Sequence, residues 1–194
     1  MDNAKIAVFA SGNGTNAVNL IKYFKKSNAI DVVFVFCNVQ QAPVIDLALE
    51  EGVKVIVKDN QFAAKGENLI EMCRSHQVDY IVLAGYLRLI PEEFIDQYQG
   101  KIINLHPSIL PDFGGKGMYG NFVHRAVIEN KVSYSGITIH FVDKEFDKGS
   151  IIAQFRCHLH EGDDVAALRQ KISALEQVYF PIVIEKTIEH ASIF

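Results

Sequence analysis

The chain has 194 residues, 49% of them hydrophobic, enough apolar material for one compact core that buries about 70% of the unfolded surface without disulfides or metals. Its formal net charge is −4, with 19 Lys and Arg scattered among 23 acidic residues, so no basic run or stripe marks a nucleic-acid footprint and any anionic ligand must be held locally. No apolar run approaches the roughly 18 residues that a membrane span needs.

The N-terminus enters a strand-like run by Ile6 with no basic leader and no small-residue cleavage site, so a soluble, cytoplasmic protein is expected. Residues 5–10 are short, apolar and β-branched, and predict a strand. A loop, Ser11-Gly12-Asn13-Gly14-Thr15-Asn16, leads into helical periodicity over 17–26. Strands are then predicted at 31–37, 54–57, 79–84 and 101–104, with helices between them at 43–51 and 68–76, and one starting at Pro91. This alternation predicts βαβ units and a parallel sheet. Continuous apolar character along the strands predicts burial on both faces, hence a doubly wound α/β fold with helices on both sides. After residue 104 the pattern changes to a Gly-rich loop over 111–120, a short helix to about 130, two β-like stretches at 136–142 and 151–160, and a closing helix over 163–189. Asp163 and Asp164 at the start of that helix suit its dipole. Cys37, Cys73 and Cys157 are odd in number and far apart, the usage of buried residues in a reducing compartment. One domain spanning 1–194 is expected, with its ligand crevice at the carboxyl ends of the parallel strands.

Three segments carry candidate chemistry. The 11–16 loop sits between the first strand and the first helix, where free N–H groups and the helix dipole favour an anion and glycines permit close approach. It lacks the Lys of a P-loop and the third Gly of a dinucleotide fingerprint. A terminal phosphate on a small substrate is one reading; a tight turn with Thr15 or Asn13 as the helix N-cap is the other. Asn104-Leu-His106-Pro-Ser follows the strand at 101–104. Residues two apart in an extended segment point to the same side, and Pro107 biases His106 toward extended backbone. An amide that stabilises an oxyanion would then converge with an imidazole that moves a proton, although a strand-end His satisfied by backbone has the same signature. The stretch 143–149 offers Asp143 and Asp147 in a loop that is either a charged turn or a source of a carboxylate for His106. His158 and His160 share a strand face, with no third ligand nearby, so no metal site is expected. His140 reads as a core histidine in a strand.

Taken together, SGNGTN at 11–16, AGYLRLI at 84–90, NLHPSILP at 104–111 and DKEFDKGSII at 143–152 resemble the glycinamide ribonucleotide formyltransferases, in order and over about residues 4–188. The resemblance extends to the EQVYFPIVIE segment of the closing helix. It implies a mostly parallel sheet of about seven strands, the next-to-last antiparallel. It implies transfer of a formyl group from 10-formyltetrahydrofolate, the co-substrate, to the primary amine of glycinamide ribonucleotide in purine biosynthesis. The amine attacks directly through a tetrahedral intermediate, with no covalent enzyme intermediate and no metal. By resemblance, Asn104 steadies the oxyanion, His106 shuttles the proton, and Asp147 holds His106 protonated and organises a water. Gly14, Thr15 and Asn16 match the phosphate-binding residues. Leu87, Arg88, Leu89 and Ile90, with Asn104, match the folate-binding segment, and Glu176 matches a glutamate at the substrate's amine end. His140 falls near the catalytic group. Lys65 stands where some members carry an Arg near the folate tail, a departure that keeps the charge without the bidentate fork. Lys116 in the glycine loop is either a phosphate contact or plain surface. The partners implied are these two small molecules, with no nucleic acid and no membrane, in a monomer or homodimer. Two alternatives stay open: another formyl-folate enzyme, such as a deformylase with an added N-terminal domain or a tRNA formyltransferase with an added C-terminal one, neither expected in this chain; or a non-catalytic folate- or nucleotide-binding module.

Overall fold

The computed structural model describes residues 3–191. The first apolar run forms β1 (Ala4–Ala10), and its alternate side chains enter two separate cores: Ile6, Val8 and Ala10 on one face, Ala7 and Phe9 on the other. A strand without a polar face is stable only inside a sheet covered on both sides. Accordingly β1 pairs in parallel with both β2 (Ile30–Cys37) and β4 (Tyr80–Leu83). β3 (Val55–Val57) lies parallel beyond β2, and β5 (Ile102–His106) parallel beyond β4. β6 (Tyr134–Phe141) reverses direction beside β5, and β7 (Ile151–His158) reverses again. The seven strands run in the order β3-β2-β1-β4-β5-β6-β7, mostly parallel with the next-to-last strand antiparallel, as the resemblance implied.

One face of the sheet is covered by α1 (Thr15–Phe24), α2 (Val44–Glu50), α6 (Asn121–Glu129) and α7 (Val165–Ala191). The other is covered by α3 (Asn60–Ala63), α4 (Gly66–Ser75) and α5 (Glu92–Gln97). On the second face the Phe9 ring lies 4.7 Å from Phe36 and 6.0 Å from Phe94, tying β1 to β2 and α5. Truncating so enclosed a ring to Ala costs about 3–5 kcal/mol.

From β1 the chain winds out to β2 and β3, then returns across the sheet to β4. The crevice expected at such a switch point opens at the carboxyl ends of β1 and β4. The 11–14 loop leaves the first of these ends and the 84–91 segment the second, with the end of β5 alongside. α7 closes the crevice through a device built on proline. Pro181 stands inside the helix and has no N–H for the carbonyl four residues back. That carbonyl, of Gln177, accepts instead from Asn19 Nδ2 of α1 at 2.8 Å. Gln177 Nε2 donates to Asn16 Oδ1 at 2.9 Å, and Tyr23 donates to Glu185 at 2.7 Å. A polar seam thus fixes α1 along its length against the middle of α7.

Several local expectations shift. Gly14, with φ of 77°, is the N-cap of α1, no side chain caps the helix, and Thr15 is its first residue. Neither Thr15 nor Asn13 is therefore the cap. A Cβ on Gly14 would lie 2.5 Å from Val44 Cγ2, so close approach to α2 as well as the backbone angle demands glycine. Pro91 is an N-cap and not a first-turn residue. At the head of α7, Asp164 accepts from Ala167 N at 2.8 Å, while Asp163 accepts from His160 N and pairs with Lys171. Asp164 is thus a true cap beyond its favourable charge. α3, four residues opened by Asp59 accepting from Phe62 N, is too short to show periodicity and was not anticipated.

Candidate active site

A cavity of about 300 Å³ opens over the ends of β4 and β5, and Asn104, His106, His140 and Asp147 all line it. Asn104 and His106 come from β5 with the i, i+2 spacing read from the sequence. His140 lies directly opposite Asn104 in the antiparallel register with β6. Asp147 arrives from the β6–β7 loop with a φ of 55°. That loop is drawn in by Gly149, where a Cβ would meet the Phe141 carbonyl oxygen at 1.8 Å. The loop therefore folds back to the sheet edge and sets the Asp147 carboxylate beside His106.

The protonation pattern follows from the partners. His106 is 3% exposed, and its Nε2 lies 2.9 Å from the Phe113 carbonyl. A carbonyl only accepts, so Nε2 carries a proton. Nδ1 then faces Asp147 Oδ2 at 3.6 Å. The second proton of His106, when present, is the one the carboxylate sees. His140 is 2% exposed, and its Nδ1 donates to the Phe141 carbonyl at 2.8 Å. Burial pushes its imidazole below the usual histidine range; the Phe141 carbonyl and Asp147 oppose this, and His106 reinforces it. The ring is neutral, so Nε2 is an acceptor and takes a hydrogen bond from Asn104 Nδ2 at 3.1 Å. Turned the other way, the amide would set its oxygen against that lone pair. His140 thereby fixes the orientation of Asn104 and leaves the second amide hydrogen for a ligand. Asp147 Oδ2 accepts from Gly115 N at 2.8 Å, and its Oδ1 lies 3.7 Å from His140 Nε2.

The opposite wall is the 84–90 segment. Leu87, Arg88, Leu89 and Ile90 all line the cavity. Leu87 and Leu89 are 55% and 53% exposed and give this wall an apolar surface. The segment is anchored by Leu87 N donating to Ser11 Oγ, which donates to Asn38. Lys65 is not brought to this wall: it is exposed at the N-cap of α4 and absent from the lining.

A second cavity, of about 210 Å³, lies at the head of α1 and includes Gly14, Thr15 and Asn16. Asn16, Gly85, His124 and Glu176 line both cavities, so the two meet. Glu176 Oε2 accepts from Asn16 Nδ2 at 3.0 Å; burial raises its carboxyl above the ordinary value, with Asn16 and Arg169 opposing. The structure thus brings together the predicted site residues except Lys65 and Lys116. It adds His124, Arg169 and Ser173, which the sequence reading missed. Arg169, Ser173 and Glu176 follow an i, i+4, i+7 spacing, the one signal that marked them as a single face of α7. Lys116 is exposed and lines neither cavity. Among the described residues no group of three or more His, Cys, Asp or Glu is arranged to hold a metal ion, and no helix is long and apolar enough to cross a membrane.

A family model described as formyl transferase matches residues 4–184. The chain belongs to the formyl transferase family. It is 37% identical over 187 residues to the phosphoribosylglycinamide formyltransferase of Bacillus subtilis, covering 94% of this chain and 93% of that one. It is also 37% identical over 190 residues to the chloroplastic phosphoribosylglycinamide formyltransferase of Vigna unguiculata, covering 95% of this chain. It spans 61% of that relative's length and 60% of the Arabidopsis thaliana one. The crystal structure of the Bacillus halodurans phosphoribosylglycinamide formyltransferase superposes with a TM-score of 0.87 at 32% identity, covering 96% of each chain. The seven-stranded, mostly parallel sheet is thus the fold shared with these solved relatives.

Proposed function

We propose that this chain, as one formyl transferase domain, transfers the formyl group of 10-formyltetrahydrofolate to the primary amine of glycinamide ribonucleotide. The observation that carries this reading is the junction of the two cavities. A nest of uncapped N–H groups suited to a phosphate opens into a cavity where the Asn104 amide, the His106 and His140 imidazoles and the Asp147 carboxylate stand together. A phosphate ester whose other end is an amine fits that path, and Glu176 at the junction suits the amine side.

The formyl donor, when bound, supplies an activated carbonyl carbon and a nitrogen leaving group. The half-exposed leucines at 87 and 89 and the backbone of 87–90 offer its flat ring apolar cover and edge hydrogen bonds. The free Asn104 Nδ2 hydrogen stabilises the charge that develops on the formyl oxygen, and it acts in a site already oriented by His140. A carbon–nitrogen bond forms to the substrate amine, the bond to the folate nitrogen breaks, and one proton passes from the first nitrogen to the second. His106 Nδ1 is the group that moves this proton, because Nε2 is committed to the Phe113 carbonyl. Asp147, facing Nδ1, stabilises the charged imidazole and closes the relay. No step needs a nucleophilic side chain.

The test is the purified chain with both substrates. Tetrahydrofolate is expected only when glycinamide ribonucleotide and 10-formyltetrahydrofolate are present together. Release without the amine would assign a deformylase, and binding of both without turnover a non-catalytic module.

A further inference from the structure

A phosphate monoester carries about −1.5 to −2 charges at pH 7, whereas a helix N-terminus offers only the equivalent of roughly +0.5. Glu176, in the same cavity, adds a carboxylate. Backbone N–H groups therefore leave a dianion under-compensated, and the cavity must be searched for a cation. Among the residues lining it there is one Lys or Arg, Arg169, on the first turns of α7. It is exposed, and it makes no hydrogen bond or ion pair within the described residues. Its charge is nevertheless felt at both neighbours across the cavity, opposing the rise at Glu176 and adding to the fall at His124. His124 supplies an independent observation. It is 6% exposed, its Nδ1 has no partner, and it lines the second cavity where that cavity meets the first. A buried polar atom left unpaired is costly.

We propose that Arg169 is the cation that completes the anion site at the head of α1, in a lining it shares with His124, and that it makes the chain selective for a phosphorylated acceptor over the same amine lacking phosphate. The assignment rests on the proposed formyl transfer for its acceptor, but the residue, its helix and its charge are features of this chain. The planar guanidinium suits it to two phosphate oxygens at once. Ser173, one turn on along the same helix face, adds a hydroxyl donor to the rim. The seam between α1 and α7 holds that face beside the nest, so cation and N–H groups line the same cavity.

The test compares Arg169→Gln and Arg169→Lys with the parent chain, using glycinamide ribonucleotide and its unphosphorylated riboside. Loss of a charge-assisted contact to phosphate is expected to raise KM for the ribonucleotide roughly 10- to 100-fold in Arg169→Gln. kcat should stay within about threefold and KM for the formyl donor should not move. The riboside should react equally with parent and variant, and Arg169→Lys should recover part of the loss. An equal loss with the riboside, or an unchanged KM for the ribonucleotide, would overturn the assignment. Calorimetry with ribose 5-phosphate separates it from the reading it rests on, since binding there needs no reaction. If Arg169→Gln weakens that binding in a chain that catalyses no formyl transfer, the transfer reading fails and the anion site stands. If Arg169→Gln turns over the ribonucleotide like the parent, the anion site fails and the transfer reading stands.

Discussion

At the end of β5 nearly every polar atom has a partner, whereas at the head of α1 several have none. Asn104 leans on His140, His140 on the Phe141 carbonyl, His106 on the Phe113 carbonyl and Asp147 on Gly115 N. Across the junction, α1 begins without a side-chain cap, His124 Nδ1 is buried and unpaired, and Arg169 has no partner among the described residues. The contrast matches two tasks. Charge that develops only in a transition state is best met by groups already locked in place, since they need no reorganisation at the moment of reaction. A ground-state anion is best met by groups whose bonding capacity the ligand itself fills, because unpaired donors make the empty site costly and the filled one favourable.

The largest effect should come from breaking the locked side. Asp147→Asn keeps the shape but removes the charge facing His106 Nδ1 at 3.6 Å. We expect kcat to fall by roughly 10²- to 10⁴-fold, the scale of general acid–base catalysis, with affinity for ribose 5-phosphate nearly unchanged. Steady-state kinetics beside calorimetry reads both quantities. If turnover survives, the carboxylate has no part in the proton relay; if phosphate affinity falls with it, the two regions are one energetic unit and the contrast dissolves.

A smaller effect, in the opposite column, is expected at the nest. Gly14→Val places a β-branched side chain at a φ of 77° and against Val44, whose Cγ2 lies 2.5 Å from where a Cβ would stand. Either α1 or α2 must shift, at a cost of about 1–3 kcal/mol for overpacking, and the N–H groups lose their common focus. Affinity for ribose 5-phosphate should drop at least tenfold in a protein that still melts cooperatively, an expectation resting on one or more charge-assisted hydrogen bonds worth about 1.5–3 kcal/mol. Undiminished affinity would remove the nest from the phosphate site.

What could be read ahead of the structure divides along the same line. The double-sided apolar strands, the i, i+2 pair Asn104 and His106, and the glycine loop before α1 are local patterns, and local patterns survive in a bare sequence. The partners that make the β5 end rigid are backbone groups of Phe113, Gly115 and Phe141, which no residue type advertises. Apart from the resemblance, Asp147 showed only as one of three carboxylates in a loop, because the close approach at Gly149 that folds it back is a tertiary fact. Arg169 and Ser173 lie on a helix whose face looks like any solvated face until Pro181 and Asn19 bring α1 against it. His124 gave no signal at all, since an unpaired nitrogen is visible only when its surroundings are. Lys65, carried over by resemblance alone, and Lys116, proposed from its place in a glycine loop, are the candidates that the cavity walls do not include.

The mildest probe concerns the neutral ring that orients Asn104. Burial holds His140 below its ordinary value of 6.5. At pH 8 the ring is neutral whether the chain is folded or not, so its titration contributes nothing there. As pH falls through 6.5 the unfolded chain takes up a proton that the folded one resists. The unfolded state then binds more protons, and stability declines with falling pH until the folded ring also titrates. His140→Asn sets an amide donor near the Phe141 carbonyl and abolishes this titration. At pH 8 the variant should be less stable by about 1–3 kcal/mol for the disturbed buried hydrogen bonds, and the deficit should shrink as pH is lowered toward 5. His124, whose imidazole burial also depresses, is present in both proteins and cancels from the difference. Urea midpoints measured across that range decide the matter. A deficit independent of pH would mean that His140 is not held neutral by the fold, and that the orientation of the Asn104 amide needs another cause.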